Sequence, residues 1–226
     1  MTTADLHVVA SGPLRYLLSL PQESSGTADS TGPWPLLCFL HGYGEGPPMP
    51  IRRALTLHGP MARTSSPLAR AEFVVVAPQL PRRGDIWYAY AEAVQEIVQQ
   101  VHARAAHRAD PARMFLTGFS FGGNGVFDLA LAQPDVWAAL WAVDPTRVPP
   151  ADPGRPAWLS SGEASRHSAR AFIERLRLEP LRGMPPGERV YRDDGEDHVG
   201  TARRAYGDDD IYRWLLSKRL PAPNNG

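Results

Sequence analysis

The sequence has little cysteine, no net charge, no long apolar run and no metal-ligand spacing, and each absence removes a class of function. A single cysteine, Cys38, among 226 residues excludes an internal disulfide framework. Lys+Arg and Asp+Glu each number 24, so the formal charge is +0, and no basic block gives an electrostatic footprint for nucleic acid or an anionic membrane. The longest apolar runs, Leu36–Leu40 and Phe73–Ala77, are far too short to span a bilayer. The stretch Met1-Thr2-Thr3-Ala4-Asp5 lacks a basic region followed by an apolar one, so no signal peptide is expected and a cytoplasmic location is. There is no H-E-x-x-H, no paired-cysteine motif and no calcium-loop spacing in the acidic runs near Asp193 and Asp208, so no metal is expected. Gly42-Tyr43-Gly44-Glu45-Gly46 does not complete a dinucleotide fingerprint, and no cofactor is expected either.

What is present reads as one α/β domain over residues 1–226. Hydrophobic residues are 43% and charged residues 21%, an ordinary globular balance. Gly 20 and Pro 23 together make roughly a fifth of the chain, which implies many or rigid loops. Leu6–Ala10 and Leu14–Leu20 flank Ser11-Gly12-Pro13 as a strand hairpin, and Gln22–Trp34 reads as an exposed connector. Buried strands follow at Pro35–Leu40, Phe73–Ala77, Arg113–Gly118, Trp137–Val143, Ala157–Ser161 and Glu188–Arg192. Helices are predicted over Ile51–Leu57, Tyr88–His107, Gly122–Gln133, Ser165–Leu178 and Asp208–Leu220. Alternation of strand and helix after an antiparallel hairpin implies a mostly parallel eight-stranded sheet with helices on both faces.

The motif that carries chemistry is Gly118-Phe119-Ser120-Phe121-Gly122-Gly123, set between a predicted strand and a predicted helix. A serine on so sharp a turn exposes its hydroxyl, the glycines remove side chains that would block the turn, and the helix N-terminus lies beneath it. A glycine-rich helix cap is the plain alternative for such a turn. Acyl transfer also needs two N–H donors for the oxyanion. His41-Gly42-Tyr43-Gly44, at the end of an apolar strand, supplies Tyr43, and the residue after the serine supplies Phe121. Among the seven histidines, His198 follows the last predicted strand in a polar loop and comes after Ser120 in the chain, as a general base of this arrangement must. His41 and His58 lie in tight glycine-containing turns, where local hydrogen bonding explains them.

The stretches from Leu36 to Gly46, His58-Gly59-Pro60, Val75 to Gln79 with Trp87, Asp110 to Gly123, and His198 through Tyr206 to Leu216 resemble the α/β-hydrolase superfamily. The resemblance is to its lidless bacterial phospholipase/carboxylesterase-like members, also grouped as polyhydroxybutyrate-depolymerase-like or "predicted peptidase" proteins. It implies an α/β-hydrolase fold without a large lid, with Ser120 as nucleophile, His198 as base, and Tyr43 and Phe121 as oxyanion donors. The implied activity is a serine esterase acting on small-molecule esters, with no nucleic acid or membrane partner. Trp87 and Phe119 are candidate substrate contacts, although plain core packing would also explain aromatics there.

One departure from the family pattern stands out. Three residues beyond Gly162, where relatives place the acid of the triad, this chain has Ser165. Asp144, at the end of the preceding strand, and Glu163 are the two replacements on offer, and a site with no dedicated acid is the third. A peptidase or amidase of the same fold, or a ligand-binding protein without hydrolytic activity, are the alternatives that this departure leaves open.

Overall fold

The computed structural model describes residues 6–21, 33–104 and 109–222. The start at Met1, most of the Gln22–Trp34 connector and the predicted helix end at His107 lie outside them. In chain order, β1 (Leu6–Val9), β2 (Tyr16–Ser19) and β3 (Trp34–Leu40) lead to a 3-10 turn over Tyr43–Glu45. Then come α1 (Ile51–Leu55), α2 (Leu68–Ala71), β4 (Val74–Pro78), a 3-10 turn over Trp87–Tyr90 and α3 (Ala91–Ala103). The second half runs β5 (Ala109–Phe119), α4 (Phe121–Ala132), β6 (Ala139–Val143), β7 (Ala157–Ser161), α5 (Glu163–Arg166), α6 (Ala169–Leu176) and β8 (Glu179–Pro180). It closes with β9 (Arg189–Asp193), α7 (His198–Tyr206) and α8 (Asp209–Leu216).

The strands form one sheet in the order β1-β2-β4-β3-β5-β6-β7-β9-β8. The pairs β1–β2 and β2–β4 are antiparallel and the remainder parallel. The predicted eight strands are all present. The ninth, β8, is a two-residue strand holding a proline, too short to show as an apolar run.

Period-two alternation along each strand sorts its side chains to the two faces. Leu36, Cys38 and Leu40 join one core with Val74, Val76, Leu140 and Ala142, covered by residues of α3, α4 and α6 such as Val98, Phe127 and Phe172. Leu37, Phe39, Val75, Trp141 and Val143 face the other way, under residues of α1, α2, α7 and α8 including Leu55, Ala69, Tyr206 and Trp214. Both faces are therefore dry, as a parallel sheet requires. Burial raises the Cys38 thiol pKa well above its ordinary value, so this cysteine is inert packing.

The sequence reading placed His198 in a loop; it is the first residue of α7. Asp197 caps that helix, its side chain accepting from the Gly200 N–H at 2.6 Å. Among the described residues, no helix is long and apolar enough to cross a membrane.

Candidate active site

The turn from β5 into α4 brings Ser120 to φ 58°, ψ −117°. A non-glycine residue there costs roughly 1–3 kcal/mol, and the surroundings enforce it. A Cβ on Gly118 would meet the Gly122 carbonyl oxygen at 2.3 Å, and one on Gly122 would meet the Leu40 oxygen at 1.9 Å. The turn therefore exists only because both flanking positions are glycine. The Ser120 N–H donates to the Val143 carbonyl at 3.0 Å, which ties the serine to the end of β6.

Asp144 is the next residue after Val143. It also has positive φ, 43°, and it is fully buried. Its N–H donates to the Ser160 carbonyl at 2.7 Å, holding it between the ends of β6 and β7. The following turn is tied to α4: the Asn124 side-chain oxygen accepts from the N–H groups of Thr146 and Arg147 at 2.9 and 3.0 Å. Five hydrogen bonds converge on the carboxylate. Oδ1 accepts from the Gly162 N–H (2.9 Å), the Ser165 N–H (2.9 Å) and the Ser165 hydroxyl (2.7 Å), and Oδ2 from the Ala164 N–H (3.1 Å) and His198 Nδ1 (2.6 Å). Burial opposes ionisation of this acid. The hydrogen bonds from His198, Ser165 and Ala164 outweigh burial and hold its pKa below the ordinary carboxylate value.

An ionised carboxylate only accepts, so His198 carries its proton on Nδ1 and keeps Nε2 as the basic nitrogen. The His198 ring also packs on Phe119, with centroids 4.5 Å apart. Phe119 directly precedes Ser120. Base and hydroxyl are thus fixed relative to one another through a buried ring.

Glu163, the other candidate acid, is exposed at the start of α5 and makes no hydrogen bond to His198. Ser165 donates its hydroxyl to Asp144. Sequence reasoning did not assign it that role, although its position three residues beyond Gly162 was the available signal.

Tyr43 and Phe121 each open a helical turn, so their N–H groups have no acceptor within it. Their rings meet edge to face at 5.2 Å and 69°, which sets the two residues side by side next to Ser120. His41 is structural: Nδ1–H donates to the Gly42 carbonyl at 2.7 Å and Nε2 accepts from the Leu80 N–H at 3.0 Å. Burial pushes its pKa down to about 4, and it is neutral.

Trp87 does not face the site as a substrate contact. It is 1% exposed, and its indole N–H donates to the His41 carbonyl at 3.0 Å, so it braces the loop that carries Tyr43. Phe119 is likewise buried, between His58 (centroids 4.9 Å apart) and His198. The exposed apolar residues nearest the site are Tyr43, Leu57 and Val199. A cavity of about 230 Å³ is lined by Leu57, His58, Thr64, Val199 and Arg203, and not by Ser120, His198, Tyr43 or Phe121. A larger one, about 530 Å³, lies under the 179–190 segment and touches none of the predicted site residues. Among the described residues there is no cluster of three or more His, Cys, Asp or Glu placed to hold a metal ion.

No protein-family model matches the sequence, and no curated protein does. Solved structures do match. A thermostable esterase superposes with a TM-score of 0.72 at 19% identity, over 96% of this chain and 64% of that one. This chain therefore spans just under two thirds of that esterase. A fluorophosphonate-binding serine hydrolase of Staphylococcus aureus matches at TM-score 0.59 and 16% identity, over 93% and 96% of the two chains. An S-formylglutathione hydrolase of Agrobacterium tumefaciens matches at TM-score 0.64 and 15% identity, over 96% and 95%. With its mostly parallel sheet, antiparallel N-terminal hairpin and helices on both faces, the chain has the α/β-hydrolase fold.

Proposed function

We propose that the protein is a serine hydrolase of carboxylic esters, with Ser120 as nucleophile, His198 as general base and Asp144 as the acid that orients it. The observation that carries this reading is the conjunction, at the carboxyl ends of the neighbouring central strands β5 and β6, of a strained serine elbow and an imidazole hydrogen-bonded at 2.6 Å to a buried carboxylate. Ser120 Oγ attacks the ester carbonyl carbon while its proton passes to His198 Nε2. The carbonyl π pair moves onto oxygen, which the Tyr43 and Phe121 N–H groups receive. Collapse expels the alcohol, which takes the proton back from Nε2, and water repeats the sequence on the acyl-enzyme. Asp144 keeps Nδ1 protonated throughout and offsets the charge of the imidazolium.

The test is turnover of short-chain aryl esters together with covalent labelling by a fluorophosphonate. Labelling at Ser120 with ester turnover is the expected result. Labelling with cleavage of an aminoacyl anilide in preference to the ester would make the protein an amidase. Absence of both labelling and turnover would leave a ligand-binding protein.

A further inference from the structure

One buried acid beside the site takes no part in the mechanism above. Glu45 closes the 3-10 turn that begins at Tyr43, and its side chain is 8% exposed. Its Oε2 is sealed from solvent and has no hydrogen-bond partner. A Cβ placed on Gly42 would lie 3.0 Å from that oxygen and 3.4 Å from Ser120 Cβ, so a single glycine separates the carboxyl from the nucleophile.

Two imidazoles stand near it. His41 Nδ1 is 4.0 Å from Oε2, but both of its ring nitrogens are committed elsewhere and it stays neutral. His58 Nε2 is 3.8 Å from Oε1, and among the described residues its ring nitrogens make no hydrogen bond. The other charged groups acting on this pair are His198 and Arg203, both from α7. Burial raises the Glu45 pKa, and burial, then His198 and Arg203, lowers that of His58. His58 packs on Phe119, and Phe119 on His198. The carboxyl also lies among the backbone N–H groups of Glu45, Gly44 and Gly42, which favour its charged form against the cost of burial.

We propose that Glu45 is a positioning residue of the same reaction: a second carboxylate, set beside His58, whose negative charge supports the imidazolium formed on His198. This rests on the reading of Ser120 and His198 as nucleophile and base. Glu45 exchanges no proton with the substrate. It acts through His198 and through the loop that carries Tyr43.

The sign of the effect is fixed. A negative charge near His198 favours its protonated form, and a protonated His58 disfavours it. Glu45→Gln should therefore move the His198 titration, followed by NMR of the imidazole ring, to lower pH by about half a unit or more. The acid limb of kcat/KM for an aryl ester should move with it, and kcat should fall about tenfold with KM changed less than about twofold. His58→Gln, which keeps the carboxylate and removes an imidazole whose protonated form repels the one on His198, should move the titration upward.

A folded Glu45→Gln protein with an unmoved His198 titration would overturn the proposal, as would a downward or absent shift in His58→Gln. The second variant decides the matter if the first does not fold. NMR separates the two readings, because it needs no turnover. A wild-type protein that no fluorophosphonate labels sinks the hydrolase assignment, whereas an unmoved titration in a protein that is labelled sinks only the role of Glu45.

Discussion

Asp144 and His198 meet at 2.6 Å across 54 positions of sequence, one rooted at the end of β6 and the other at the first turn of α7. Every other ligand of that carboxylate is an N–H or hydroxyl of residues 162–165. Among the described residues, the imidazole is the one ring that bonds to it.

Replacing Ser120 by alanine should abolish ester turnover, with a loss of at least about 10⁴-fold in kcat, and should eliminate fluorophosphonate labelling. The fold should survive, because one hydroxyl at the surface of the turn contributes little packing. Circular dichroism and thermal melts check the second half of the statement. Labelling of the variant equal to wild type would place the nucleophile elsewhere.

Asp144→Asn keeps the shape and removes the charge. It should lower kcat by up to about 10⁴-fold, because an amide can present an N–H to Nδ1 and invert the tautomer. Glu163→Gln, at an exposed position off the imidazole, should cost less than about tenfold. Measuring the pair side by side discriminates. Equal, mild losses in both would remove Asp144 from the mechanism.

Ser165→Ala deletes one of the five hydrogen bonds on the carboxylate and leaves the Ser161 hydroxyl, 2.9 Å from the lost oxygen, without that partner. The burial of Asp144 is then less fully offset, and its pKa should rise toward the ordinary carboxylate value. The expected loss in kcat is about three- to thirtyfold, with a larger fraction of activity lost at acidic pH than in the wild type. A variant with a wild-type pH profile would show that this hydroxyl does no more than fill space.

His41 provides a stability test with a definite sign. Its folded pKa, about 4, lies below the unfolded value near 6.5. The unfolded chain therefore binds the extra proton first. The stability that comes from neutral His41 is complete above about pH 6.5 and is lost as pH falls toward 4, by on the order of 3 kcal/mol. Denaturant melts across that window should show the decline, and His41→Gln should flatten it while lowering stability at neutral pH through the loss of the bond to Leu80.

Much of this was readable in the chain before any coordinates. Dry strands such as Leu36–Leu40 and Phe73–Ala77 announce themselves as apolar runs, and the glycines around Ser120 mark an elbow because sterics allow nothing else there. The helix that begins at His198 did not show. The acidic stretch before it reads as loop, and Gly200 with the Arg203-Arg204 pair dilutes its periodicity. Yet Asp197 as a cap, with buried Thr201, Ala202, Ala205 and Tyr206 at helical spacing, was a usable signal. The choice between Asp144 and Glu163 was beyond sequence, since both follow strands that end beside His198. In the structure the N–H groups of Gly162, Ala164 and Ser165 donate to Asp144, and Glu163 is exposed. Trp87 shows a related limit: an indole near a loop looks the same in sequence whether it faces a ligand or, as here, a backbone carbonyl.

The parallel register of β6 and β7 has a consequence for where an acid can stand. Val143 lies opposite Ser160, so the two strands finish at the same height, one strand spacing apart. A short side chain leaving either end arrives at nearly the same point above the sheet. The imidazole responds to a charge at that point and is indifferent to which strand delivers it. The backbone of this sheet therefore offers the His198 ring two neighbouring anchor points for a carboxylate, and here the one on β6 is filled by Asp144 and the one after β7 meets it with the Ser165 hydroxyl.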